Sequence, residues 1–255
     1  MSGAWLLAMR RFVDLHLIPP LKDLSMIKKM ANTAVEIGLS TVAFTFPMDT
    51  PIDEIEQVRS ICREVGVDFA SRTDLSQLKP SDLIRALRKI RKKFEIVGVQ
   101  CVSESIARCA AKDSRVDILN FPIESHFAFD RHSGRTVLPM SAALEINVIT
   151  LTQLQGVERA KLINKLNHRL EVVQKLHIPI VISSGATSWT TMRGPMDMAA
   201  FVSLIGLDLQ TAIKAVSTMP MAILTRNRMK LDPSFVMPGV RLIRGKIVAS
   251  PKSKT

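Results

Sequence analysis

The sequence has no tyrosine, and its aromatic complement is ten Phe and two Trp. Proteins that read single strands by stacking bases on aromatic side chains need more such platforms. Cysteine is scarce as well. Cys62, Cys101 and Cys109 form no C-x-x-C pair, which argues against a disulfide framework and a structural zinc site and suits a reducing compartment. No apolar run is long enough to cross a membrane: the longest apolar region, 196–224, is interrupted by Asp197, Asp208 and Lys214. The apolar run near the N-terminus, Trp5 to Met9, is too short for a signal-peptide core. A soluble, cytoplasmic protein with no membrane partner is the expectation. Acidic residues are few relative to basic ones: 23 Asp+Glu face 35 Lys+Arg, a net charge of +12. That balance excludes an acidic solvating tail and points to a polyanionic partner.

What is present is a globular composition, with 47% apolar and 23% charged residues over 255 positions. One domain of that length can bury a full core. Short β-branched runs alternate with longer periodic segments. Strands are expected at 11–19, 40–46, 67–73, 95–102, 116–122, 145–151 and 178–186. Helices are expected between them, the clearest at 157–177, where Ile163, Leu166, Leu170, Val173 and Leu176 share a face. A short helix is expected near 139–143. Three more helices follow at 195–206, 208–217 and 221–229, after which periodicity fades. Strands that read as apolar runs between helices indicate a parallel sheet buried on both faces. The expected fold is an α/β, TIM-barrel-like barrel of about seven parallel strands, with an open doubly wound sheet as the alternative. We place one domain at 1–246 and a flexible basic tail at 247–255.

Candidate chemistry gathers where barrel strands end. Alternation puts Asp14, His16 and Ile18 on one face. A D-x-H-x-H pattern would offer metal ligands, but Ile18 cannot ligate a cation. The aperiodic stretch 123–137 carries Glu124, His126, Asp130, Arg131, His132 and Arg135, a mixture suited to a metal or acid–base cluster or to a polar loop. Ser183-Ser184-Gly185-Ala186 follows the last strand, where backbone N–H groups could cradle a phosphate. It lacks the P-loop spacing. Met196, Met198, Phe201 and Leu204 suggest a core stripe or a docking face.

Basic residues cluster in two places. Residues 85–93, RALRKIRKK, hold six bases and no acid. Residues 226–255 hold eight bases and one acid, more than half of the whole surplus. Nucleic-acid contact through phosphates is the favoured reading of both.

FVDLHLIP (12–19), EIVGVQCV (95–102), DILNFP (117–122), HIPIVISSGATSWTTMRGPMDMAAF (177–201) and MPMAILTRNRMK (219–230) together resemble the ribonuclease P protein component 3 family. The layout is also similar to the polymerase-and-histidinol-phosphatase superfamily, whose barrels bind metals through His-rich strand ends. Ile18 departs from that metal pattern. The resemblance implies a barrel subunit without catalytic or metal-binding residues of its own, binding the catalytic RNA of ribonuclease P. That RNA, with its own Mg2+, would remove the 5′ leader of precursor tRNA. It also implies a direct partner in ribonuclease P protein component 2, contact with other protein subunits, and indirect contact with the precursor tRNA. RNA contacts are expected first at Arg193, Arg226, Arg228 and Lys230, then at Arg85, Arg88, Lys92, Arg131 and Arg135. The rival is a metal-dependent phosphoesterase built on Asp14, His16, Glu124 and His126. A third reading, a metabolic barrel enzyme, would use 183–186 as a phosphate cup.

Overall fold

The computed structural model describes residues 11–76, 79–122, 142–237, 240–243 and 246–249. Seven parallel strands follow one another around a nearly closed barrel: β1 (Val13–Leu17), β2 (Thr41–Thr45), β3 (Asp68–Leu75), β4 (Ile96–Gln100), β5 (Ile118–Asn120), β6 (Ala143–Asn147) and β7 (Ile180–Ser183). Helices α1 (Leu24–Glu36), α2 (Ile52–Val65), α3 (Pro80–Ile90) and α4 (Glu104–Lys112) connect the first five strands. Helices α5 (Ile149–Gln153) and α6 (Gly156–Lys175) link β6 to β7. After β7 come α7 (Pro195–Leu204), α8 (Leu209–Ala215) and α9 (Thr218–Leu231). Gly38 and Gly66, both at positive φ, end the first two helices and return the chain to the sheet.

The barrel closes through a parallel bridge between Leu17 and Ala186, with the Ile18 N–H donating to the Ala186 carbonyl at 2.8 Å. At the other end of this seam the Val13 N–H donates to the Val216 carbonyl at 2.9 Å, so the α8–α9 junction fills the gap between the edge strands. Two cores result. The larger lies between sheet and helices. The smaller fills the barrel: Val13, Leu15, Ala43, Ala70, Ile96, Ile118, Ala143 and Val181 pack against Ile223 and Leu224 of α9. That helix plugs the base, where the strands begin. Full burial of each of these two side chains stabilises by roughly 1.5–3 kcal/mol.

Four expectations need correction. The sixth strand runs 143–147, and 149–153 is helical. The β-branched residues Val148, Ile149 and Thr150 favour a strand locally, but Ile149 and Leu151 bury themselves better from a helix over the strand ends. Nor is there a helix at 142–143, where Ala143 opens β6; residues 139–141 lie outside the described residues. The buried face of α6 is Leu162, Leu166, Arg169, Leu170 and Val173, whereas Ile163 is exposed. Beyond α9 the fading periodicity conceals an antiparallel sheet of β8 (Phe235–Met237), β9 (Val240–Ile243) and β10 (Lys246–Ala249). Its last strand crosses the boundary expected at residue 246, and 250–255 lie outside the described residues.

Candidate functional site

The mouth, at the strand C-terminal ends, holds a layer of ions directly above the apolar interior. Strand alternation sets Arg72 and Asp74 on the same face as Ala70, and Glu145 and Asn147 on the same face as Ala143. All therefore point inward. Arg72 is wholly buried. Its Nη1 and Nη2 donate to Glu145 Oε1 and Oε2, each at 2.7 Å. Its Nε and Nη2 donate to Asp74 at 2.9 and 3.1 Å. Nη1 also donates to the Leu15 carbonyl at 2.8 Å. Planar guanidinium and carboxylate groups match in this forked geometry. Gly98 makes the room, since a Cβ there would sit 2.0 Å from Asp74 Oδ1.

His16 completes the layer. Regular alternation would turn it away from the interior that Val13 and Leu15 enter, but the β1–β2 register shifts between Asp14 and Leu17. The imidazole thus swings over the mouth. Its Nε2 lies 3.1 Å from Asp74 Oδ2, and its Nδ1 lies 3.2 Å from Glu145 Oε2 and 2.8 Å from Asn147 Oδ1. Burial and the nearby Arg72 charge both push its pKa down, yet Glu145 and Asp74 outweigh them and raise it to about 9. Burial would raise Asp74 and Glu145; Arg72 and His16 overcome this and hold both below the usual carboxylate range. Two cations thus face two anions, and Ser183 Oγ adds a hydrogen bond of 2.8 Å to Glu145.

Asp14 stands apart from this layer, at the barrel seam. Its Oδ1 accepts the N–H groups of His16 and Ser184, both at 3.1 Å, and burial raises its pKa against those bonds. Asp14, His16 and Ile18 therefore do not share a face, and Ile18 is exposed. The mouth's carboxylates are already engaged by a guanidinium and an imidazolium. Among the described residues no three His, Cys, Asp or Glu side chains are arranged to hold a metal ion. Glu124 and His126, needed by the phosphoesterase reading, lie outside the described residues, as do Asp130 and His132. The phosphate cup is engaged internally too. The Ser184 N–H serves Asp14, the Ala186 N–H donates to Ser184 Oγ at 3.1 Å, and Gly185 adopts φ +67° against Asn147 and Ile149.

The basic residues divide into two kinds. Arg228 is bound within the chain: it donates to Asp68 at 2.8 and 3.0 Å, to Glu95 at 2.7 Å and to the Phe69 carbonyl at 2.7 Å. Buried Asn227 donates to the Glu95 carbonyl at 2.8 Å. These contacts fix α9 to the starts of β3 and β4. Arg226 and Arg91 both reach Asp117 at 2.9 Å. Arg193 folds back on its own loop, donating to the carbonyls of Thr190 at 3.1 Å and Met192 at 2.7 Å. The second kind faces outward. Arg88 and Lys92 are exposed. The Arg85 side chain is 83% exposed, with Asp82 at 3.6 Å. Exposed Lys230 has its pKa lowered by partial burial, Arg226 and Arg91, which places it in a cationic neighbourhood. Arg131 and Arg135 lie outside the described residues. On α7, Met198 is buried whereas Met196, Phe201 and Leu204 are exposed, so the four do not form one apolar face.

Sequence reasoning passed over Arg72, Asp74 and Glu145. A signal existed: Arg72 and Asp74 lie two residues apart on the face of β3 that also carries Ala70, so both charges point inward. Among the described residues no helix is long and apolar enough to cross a membrane.

Comparison with known proteins matches this picture. Ribonuclease P protein component 3 of Methanosarcina mazei is 29% identical over 226 residues, which are 86% of this chain and 90% of that protein. Its counterpart in Methanosarcina acetivorans is 33% identical over 186 residues, 71% of this chain and 75% of that protein. A chain in the cryo-EM structure of archaeal ribonuclease P with mature tRNA shares the fold, with a TM-score of 0.77 at 22% identity over 91% of this chain and 98% of that one. Molinate hydrolase shares it more loosely, with a TM-score of 0.62 at 8% identity over 86% of this chain and 73% of that one. The profile of the family described as RNase P subunit p30 matches residues 11–232. With a barrel whose mouth is closed by its own ion pairs and relatives that align along most of its length, the chain belongs to the RNase P subunit p30 family.

Proposed function

We propose that this chain binds and stabilises the catalytic RNA of ribonuclease P and so supports removal of the 5′ leader from precursor tRNA. The observation that carries the reading, beside family membership, is the mouth: Arg72 and His16 occupy the carboxylates that a phosphoesterase would offer to a metal. In this reading the RNA supplies the endonucleolytic centre with its own Mg2+, and the chain brings no cofactor. It works in the cytoplasm with ribonuclease P protein component 2 as direct partner, alongside other protein subunits, and meets precursor tRNA indirectly.

RNA contact runs through phosphates and 2′-hydroxyls, because A-form helices hide their base edges in a deep groove. The outward cations Arg85, Arg88, Lys92 and Lys230 form the contact surface, with Arg226 beside them, and Arg193 is a separate candidate on the loop after β7. Arg228 supports it by holding α9. Arg131 and Arg135 extend the candidate set from sequence alone. Each phosphate neutralised releases counterions, so affinity falls steeply with salt. The test is reconstitution of the RNA subunit with and without this chain, scored for leader removal at limiting Mg2+. Stimulation that fades as salt rises is the expected result. Unchanged cleavage, or a salt-independent affinity, would overturn the proposal.

A further inference from the structure

Between the ends of β4, β5 and β6 and helix α6 lies a cavity of about 290 Å3, bordered by Gln100, Asn120, Asn147, Thr150 and Arg169. That volume suits one compact polar group rather than a large cofactor. Arg169 is the unusual member. It sits on the buried face of α6 between Leu166 and Leu170 and is only 8% exposed. Its guanidinium lies 5.6 Å from the centroid of the Phe121 ring, and Nη1 donates to the Phe121 carbonyl at 3.0 Å. Among the described residues its remaining N–H groups have no acceptor and no carboxylate pairs with it.

The contrast with Arg72 is sharp. Arg72 meets two carboxylates, while Arg169 faces a cavity without one to itself. Glu145 borders the same cavity, but both of its oxygens are held by Arg72. A buried cation without a counter-ion is costly and is retained where an anion offsets it. Burial pushes the Arg169 pKa down to about 10, with Cys101 acting weakly against it, so the group stays charged at neutral pH. The Gln100 side chain lines the same cavity.

We propose that this cavity is a phosphate-binding site in which Arg169 grips a single phosphate group, assisted by the Gln100 amide. A guanidinium fork matches two phosphate oxygens, and a phosphate offers a third to a further donor. The phosphate is carried either by a small ester or by a phosphodiester of bound RNA.

The experiment titrates the full chain, in chloride buffer, with inorganic phosphate and with adenosine 5′-monophosphate, read by calorimetry and by 31P line width. Saturable binding of one phosphate per chain is expected. Gln100→Glu, which places a carboxylate in the cavity with Arg169, and Arg169→Gln should each weaken it at least about tenfold. No saturable binding by the wild type overturns the proposal. So does full affinity in Gln100→Glu, which decides the matter if Arg169→Gln fails to fold. Acetate binding as tight as phosphate also overturns it. Measuring ribonuclease P RNA affinity for Gln100→Glu then separates the sources. A loss identifies an RNA phosphodiester, and no change identifies a free ester. If the wild type binds phosphate but no RNA, the functional proposal fails while this one stands.

Discussion

The two ends of the barrel handle charge in opposite ways. At the mouth, Arg72, His16 and Glu145 are buried and Asp74 is largely so, and their charges cancel inside the protein. At the base, Asp68, Glu95 and Asp117 mark the strand starts, and Arg91, Arg226 and Arg228 reach them from outside. Two of these base cations keep one side toward solvent: the Arg226 and Arg228 side chains are 35% and 36% exposed, against 0% for Arg72. Lys230 adds charge there beside Arg226 and Arg91, and Arg85, Arg88 and Lys92 extend the positive surface along α3. A neutral buried layer fixes shape. A solvent-facing surplus is available to a polyanion. In the proposed function, the cations that meet RNA lie away from the end where barrels usually do chemistry.

The largest disturbance should come from the mouth. Arg72→Met leaves Asp74 and Glu145 buried with only His16 against them, and should cost about 3–5 kcal/mol in urea denaturation. Wild-type stability in that variant would show that the mouth is not held by ion pairing. Next in size is the pH dependence of His16. Its folded pKa of about 9 lies above the ordinary 6.5, so its contribution is complete below about pH 6.5 and disappears as pH rises through about 9. At most about 3 kcal/mol is involved. The His16→Gln variant should lose that slope, and an imidazole titration by NMR would locate the midpoint.

At the base the effects shrink and change character. Arg228→Ala should lower stability by about 1–2 kcal/mol, since its pairs are partly screened by solvent, and should leave the salt slope of RNA binding unchanged. Arg88→Ala and Lys92→Ala reverse that pattern. Each should move stability by less than about 0.5 kcal/mol and reduce the salt slope by about one. Equal effects of Arg228→Ala and Lys92→Ala on both measurements would erase the distinction between anchoring and contacting cations.

The barrel was legible because its signals are local. Apolar runs such as TVAFT and IVGVQ, separated by helical periodicity, specify parallel strands without reference to the rest of the chain. The basic surplus was legible for the same reason, as composition. The use of each base was not. Arg228 and Lys92 look alike in sequence, and only the acids that α9 meets at Asp68 and Glu95 separate them. The charge layer of the mouth was hidden because its members come from β1, β3 and β6, and because a register shift in β1, invisible to alternation, brings His16 among them. The small sheet β8–β10 was missed because three short strands leave too few residues for a period to emerge.

Helix α9 has a consequence for synthesis. Ile223 and Leu224 seal an interior that β1 begins to build some two hundred residues earlier in the chain, and Asn227 and Arg228 latch the seal. Domains emerge N-terminus first from the ribosome. Nascent chains that end before α9 therefore carry a complete wall with an open apolar floor until that helix arrives.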